Sequence, residues 1–192
     1  IKYKDIEIVF FMAGVSGPWI AGDIEELYSA GVQKVIIFGN CGVLDSKIED
    51  CSIIIPTKGF RDEGTSYHYV SPSETIEINP DYKEDFIKIL NEYNFDYTEG
   101  YTWTIDAFYR ETKDKIKYFK DNGAVCVEME GTVIASVCQR LNMKYFTFYY
   151  AGDNLDSTVW DKRSIEGPTN IDKKKEVLLL ALELAVVLNN YE

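Results

Sequence analysis

At 192 residues, with 46% hydrophobic and 27% charged residues, the chain has the size and composition of one globular domain with a sizeable core. Its net charge of -12 argues against a nucleic-acid partner, because a phosphate backbone is repelled. A small anion held by backbone amides stays compatible with that charge.

Ile6 to Met12 reads as a buried strand running into Gly14-Val15-Ser16-Gly17-Pro18. Pro18 suits a helix first turn. That helix extends to about Ala30, with Ile20, Ile24 and Leu27 on one face and Gly31 as its stop. Val35 to Phe38 is a second buried strand, ending in a tight turn at Gly39-Asn40-Cys41-Gly42, and Ser52 to Pro56 is a third. Arg61 to Tyr69 is polar and reads as a loop or hairpin. Asp81 to Tyr93 is an amphipathic helix with Phe86, Ile89 and Leu90 inside, and Tyr97 to Thr104 alternates as a strand. Lys113 to Lys120 is helical, Ala124 to Val127 a short strand and Glu130 to Leu141 a helix. Tyr145 to Ala151 is an aromatic-rich strand, and Lys173 to Asn189 closes the chain as a long helix. This alternation predicts α/β layering in a single domain over residues 1–192.

The longest apolar run, Val177 to Leu188, is interrupted by Glu183 and is too short to span a bilayer, so no membrane partner is expected. Four cysteines, Cys41, Cys51, Cys126 and Cys138, show no CxxC spacing, which fits a reducing cytoplasm; Cys126 and Cys138 lie in apolar stretches and read as buried thiols. With one histidine, a structural zinc site is not expected. The sequence opens at Ile1 with no leader pattern and no initiator methionine, which leads us to expect a preceding segment.

In open α/β sheets, ligands bind beyond the carboxyl ends of strands. Four polar segments follow strands here: Gly14 to Pro18, Gly39 to Gly42, Glu128 to Gly131 and Gly152 to Asp156. Each has a plain and a chemical reading. The Gly39–Gly42 amides either close a turn or cradle an anion. The carboxylates of Glu128-Met129-Glu130 either favour a helix start or accept from the vicinal hydroxyls of a ribose. Asp153 is a turn aspartate or, if desolvated, a general acid. Phe108 is core packing or a stacking platform for a flat base.

Taken in order, Gly14-Val15-Ser16-Gly17-Pro18, Glu26-Leu27, Gly31-Val32 and Gly39-Asn40-Cys41-Gly42 resemble the opening half of the purine/uridine phosphorylase superfamily. Arg61-Asp62-Glu63-Gly64-Thr65-Ser66-Tyr67-His68 looks like a uridine phosphorylase loop, and Val127-Glu128-Met129-Glu130 resembles the family's most recognisable motif. Asp153 falls at the aspartate of the purine-specific branch. The resemblance implies a three-layer α/β/α sandwich around a mixed, partly barrel-like sheet. It implies that Glu130 holds the ribose hydroxyls with Met129 beneath the sugar and Glu128 beside it. It further implies that Phe108 stacks on the base and that Asp153 protonates a purine as the glycosidic bond breaks. Gly39 and Asn40 hold phosphate or a water, and Arg61 joins the substrate-binding set. No cofactor is implied beyond phosphate as co-substrate.

Phosphorolysis to free base and ribose 1-phosphate is the leading expectation. Ile37 stands where phosphorolytic members commonly carry arginine, so nucleoside hydrolysis or nucleoside binding without turnover are the alternatives. The family's first phosphate loop is expected before Ile1. A homo-oligomer, dimer or hexamer, is also implied.

Overall fold

The computed structural model describes residues 1–165 and 168–191. Two two-residue strands, β1 (Lys2–Tyr3) and β2 (Ile6–Glu7), form a small antiparallel hairpin. The main sheet contains β3 (Lys34–Val43), β4 (Ile53–Asp62), β5 (Thr75–Glu77), β6 (Tyr97–Ile105), β7 (Ala124–Glu128) and β8 (Lys144–Asn154), in the order β5-β4-β6-β7-β3-β8. Parallel and antiparallel neighbours mix: β3 runs parallel to β8 and antiparallel to β7. A short antiparallel ladder, Ile53 to Tyr150 and Ile54 to Tyr149, joins β4 to β8 and bends the sheet into a closed ring. The expected mixed sheet with barrel character is therefore present.

Helices cover both faces. On one side α1 (Gly17–Ser29) packs on α4 (Gly131–Leu141); on the other α2 (Lys83–Glu92) packs on α5 (Ile171–Asn189). The fifth helix, α3 (Lys113–Asp121), lies against β7. Helical spacing explains the burial: Val177, Leu180, Ala181, Leu184 and Leu188 form one inward stripe of α5. Leu184 is fully buried, a transfer gain of about 2 kcal/mol. α1 ends as its sequence predicts, with Gly31 at φ +92 and the Val32 amide donating to Leu27 O at 3.0 Å. All four cysteines are buried and free. Among the described residues, no helix is long and apolar enough to cross a membrane.

Several strand limits differ from expectation. The Ile6 to Met12 stretch is not a buried strand: pairing stops at Glu7, and Val9 and Met12 are exposed. β3 is already flanked by β7 and β8, so no ladder position beside it is left for this run. β3 itself does not turn at Gly39. It continues to Val43 beside β8, with a register shift between Cys41 and Gly42. β4 likewise runs through Arg61 to Asp62, so Arg61 belongs to a strand rather than a loop. Its register shifts between Pro56 and Lys58, where proline has no amide to donate.

Candidate active site

The ends of β7 and β8 reach the same stretch of β3. Gly42 pairs with Val127 on one side and with Asp153 on the other. Two strand spacings separate those backbones, about 10 Å. A side chain at Gly42 would obstruct this place: a Cβ would sit 2.4 Å from Leu155 Cδ1 and 3.1 Å from Asp153 Oδ1.

From β7 the chain enters α4 through Glu128-Met129-Glu130. Glu128 is buried and fully engaged. Thr102 Oγ1 (3.0 Å) and Thr104 Oγ1 (2.5 Å) donate to one oxygen; the amides of Glu130 (2.7 Å) and Gly131 (2.5 Å) donate to the other. Burial raises its pKa and these four bonds oppose that rise. The expected substrate contact at Glu128 is therefore corrected: its acceptor capacity is spent on fixing the start of α4.

Glu130 is different. One oxygen, Oε1, accepts from the Ser16 amide at 2.6 Å. This carboxyl group is pushed up to about 7, first by burial and then by the neighbouring charge of Glu128. Ser16 holds its amide there at φ 105, ψ 152, backbone space that side chains rarely enter. Residues 14–18 thus clamp the carboxylate from the α1 side.

Asp153 is buried near the end of β8 rather than in a turn after it. Burial holds its carboxyl above the usual aspartate range, while a 2.6 Å hydrogen bond from the Trp160 indole and the charge of Arg163 pull the other way. Glu111, just before α3, is pushed up to about 7 by burial and by the charge of Asp153. Three partly desolvated carboxyl groups, Glu130, Asp153 and Glu111, form a pattern typical of proton-transfer sites.

The sequence over residues 1–186 matches the model of the Phosphorylase superfamily. The chain belongs to this family. Among its relatives is a guanosine phosphorylase of Halorubrum lacusprofundi, 23% identical over 143 residues, covering 74% of this chain and 59% of the relative. A DeoD-type purine nucleoside phosphorylase of Bacillus cereus is 25% identical over 189 residues, covering 96% of this chain and 77% of the relative. The chain thus spans less than two thirds of the length of the guanosine phosphorylase it matches. In structure it resembles AMP nucleosidase from Bacteroides thetaiotaomicron, with a TM-score of 0.73 at 21% identity over 93% of this chain and 71% of the other. That likeness shows a shared fold.

Within this phosphorylase-superfamily chain, the other sequence candidates fare unevenly. Gly39 and Asn40 lie in the paired body of β3, opposite Tyr149 and Tyr150, so the anion-cradling turn expected there is replaced by a bulged strand. Ile37 packs with the α1/α4 core. Arg61 is buried and occupied: Nε donates to Ser66 Oγ at 2.8 Å, and Nη1 donates to Ser71 O at 2.8 Å and Ser73 Oγ at 2.9 Å. Ser66 and Thr132 in turn donate to Glu63, so Arg61 braces the loop after β4 through Nε and Nη1, while its buried Nη2 has no hydrogen-bond partner among the described residues. Met129 is half-buried between the two glutamates.

Phe108 opens a short 3-10 turn and is 52% exposed, with Tyr109 4.2 Å away between ring centroids. A free aromatic face is what stacking requires. Glu111, at the end of this segment, feels the charge of Asp153. Ser16, Glu111 and Trp160 escape sequence reasoning. No spacing signals a serine at positive φ, and a tryptophan seven residues beyond an aspartate carries no periodic cue. Clefts of about 350 and 320 Å³ lie elsewhere, beside Asp45 and Tyr97 and beside Asn79 and Tyr82. The carboxylate site outranks them on chemistry.

Proposed function

We propose that this chain carries the nucleoside-binding and proton-donating parts of an enzyme that cleaves the N-glycosidic bond of a purine nucleoside, passing ribose to phosphate. The observation that carries this reading is the pair of desolvated carboxyl groups, Glu130 just past the end of β7 and Asp153 near the end of β8, the two strands that flank Gly42. Glu130 in its ionised form accepts from the ribose 2′- and 3′-hydroxyls, and Phe108 stacks on the base. Asp153 in its protonated form gives a proton to a ring nitrogen of the departing base. As the glycosidic bond lengthens, its electron pair moves to the base and positive charge grows on the sugar, so a fixed carboxylate and a positioned acid both favour the transition state. The purine preference and the phosphate acceptor rest on the names of the guanosine and purine nucleoside relatives.

Hydrolysis is the second reading, and one observation favours it. Ile37 faces the apolar core, and Gly39 and Asn40 are paired with β8 rather than free to wrap an anion. The deciding experiment is base release from inosine, guanosine, uridine and methylthioadenosine by full-length protein, with and without phosphate. Phosphate-dependent release of purine supports the proposal. Release independent of phosphate moves the protein to the hydrolases. Tight binding without release makes it a nucleoside sensor.

A further inference from the structure

We infer that Trp160 is the positioning residue of Asp153: its indole N–H, delivered by a loop pinned at both ends, fixes Oδ2 and leaves Oδ1, over Gly42, to handle the proton. The inference rests on the reading of Asp153 as the general acid.

The geometry is specific. β8 ends at Asn154, whose amide donates to Asp161 O at 2.8 Å while the Asp161 amide donates back to Asn154 O at 3.3 Å. Residues 155–160 therefore arch out and return to their starting point. One foot is tied by the Leu155 amide to Val43 O (3.0 Å), and Asp156 accepts from the Ser46 amide (3.1 Å) and pairs with Lys120 (2.6 Å). Beyond the other foot, Arg163 Nη1 donates to Ile48 O at 2.8 Å and Ser164 Oγ to Asp50 at 2.7 Å. Trp160 is 56% exposed, yet its one polar atom lies 2.6 Å from Oδ2 of a buried carboxyl group. A large aromatic left open to solvent is not explained by core packing, whereas its N–H is fully used.

The chemistry follows from charge. When Asp153 passes the Oδ1 proton to the base, negative charge appears on the carboxylate and spreads to Oδ2. The indole proton stays on its nitrogen, and its hydrogen bond strengthens as the acceptor becomes ionised. The contact therefore favours the state after proton transfer over the state before it. Other groups facing Asp153 are Arg163 and Asp161 from the same loop, Glu111 ahead of α3, and the Cys41 thiol of β3. Arg163 acts in the same direction as the indole and Asp161 opposes it.

The test has two arms on the full chain. In the first, the Trp160 indole ¹⁵N–¹H signal is assigned by its loss in Trp160→Phe and followed without ligand. At a pH above the Asp153 titration it is expected to move upfield in Asp153→Asn, where the acceptor is neutral instead of ionised; a signal indifferent to that change overturns the inference. In the second, pH profiles of base release from inosine are compared. A general acid works while protonated, so activity falls as pH rises through its titration. Trp160→Phe is expected to move that falling limb up by about one pH unit and to lower kcat about tenfold, with KM little changed. Trp160→Gln, whose amide nitrogen lies as many bonds from Cβ as the indole nitrogen, is expected to bring the limb back. A raised KM with an unmoved limb is the signature of mere loop packing and overturns the positioning role. A wild-type protein that releases no base refutes the enzymatic reading alone; the indole signal then still decides whether Trp160 holds Asp153.

Discussion

Replacing Glu130 by glutamine removes an ionisable group while keeping an oxygen to accept from the Ser16 amide. Stability is therefore expected to change only where pH leaves the native carboxylate charged. The Glu130 carboxyl rises from 4.5 to about 7 on folding, so the folded chain holds this proton more tightly than the unfolded one. A raised carboxyl contributes fully below pH 4.5, where both states are protonated, and its contribution is lost as pH climbs toward 7. At pH 8 the buried charge is a net cost. The full shift corresponds to roughly 3 kcal/mol, and partial solvent access reduces the expected gain of Glu130→Gln to about 1–2 kcal/mol. For a chain of this size that gain raises Tm at pH 8 by about 3–7 °C and leaves it nearly unchanged at pH 4. The same variant is expected to lose about 10²–10³-fold in kcat/KM on purine nucleosides, because two hydroxyls lose a charged acceptor. Thermal melts at the two pH values, with matched kinetics, check both halves. An equal Tm change at both pH values, or a loss at pH 8, refutes the placement of a desolvated charge at Glu130.

Asp153→Asn is expected to slow purine nucleosides by about 10²–10⁴-fold and uridine far less; equal losses in the kinetic panel would show that Asp153 only shapes the strand end. Ser16→Gly relieves a backbone at φ 105 and keeps the amide that holds Glu130, so chemical denaturation is expected to report a gain of about 1 kcal/mol. Gly131→Ala places a Cβ 2.6 Å from the Tyr149 hydroxyl and 2.8 Å from Glu128 Oε1; the expected loss is about 2–3 kcal/mol, part of which the double variant with Tyr149→Phe restores in the same assay.

Where local periodicity and burial agree, the sequence foretells the structure closely. α2 buries Phe86, Ile89 and Leu90, as their spacing requires, and α1 stops at Gly31. Glu130 was visible as a candidate because a carboxylate between a strand and a helix is a local pattern. The failures are non-local. Gly39-Asn40-Cys41-Gly42 has the composition of a turn, yet two flanking strands draw it into a bulged ladder. Arg61 sits in a polar run, but its Nε and Nη1 are taken by Ser66, Ser71 and Ser73, which cluster only after folding. Glu128 and Glu130 look equivalent in sequence. Thr102 and Thr104, arriving on β6, saturate one and leave the other able to accept a ligand.

The two-rung seam between β4 and β8 carries a kinetic consequence. Its partners, Ile53 with Tyr150 and Ile54 with Tyr149, stand nearly a hundred residues apart in sequence, so loop-closure entropy must be met before those contacts form. β8 also carries Asp153, whose place is set by its register with Gly42 of β3. Closing the ring thus adds a second long-range pairing to the strand that β3 already holds. Amide exchange along that seam would then report how firmly the ring is shut beside the strand that carries Asp153.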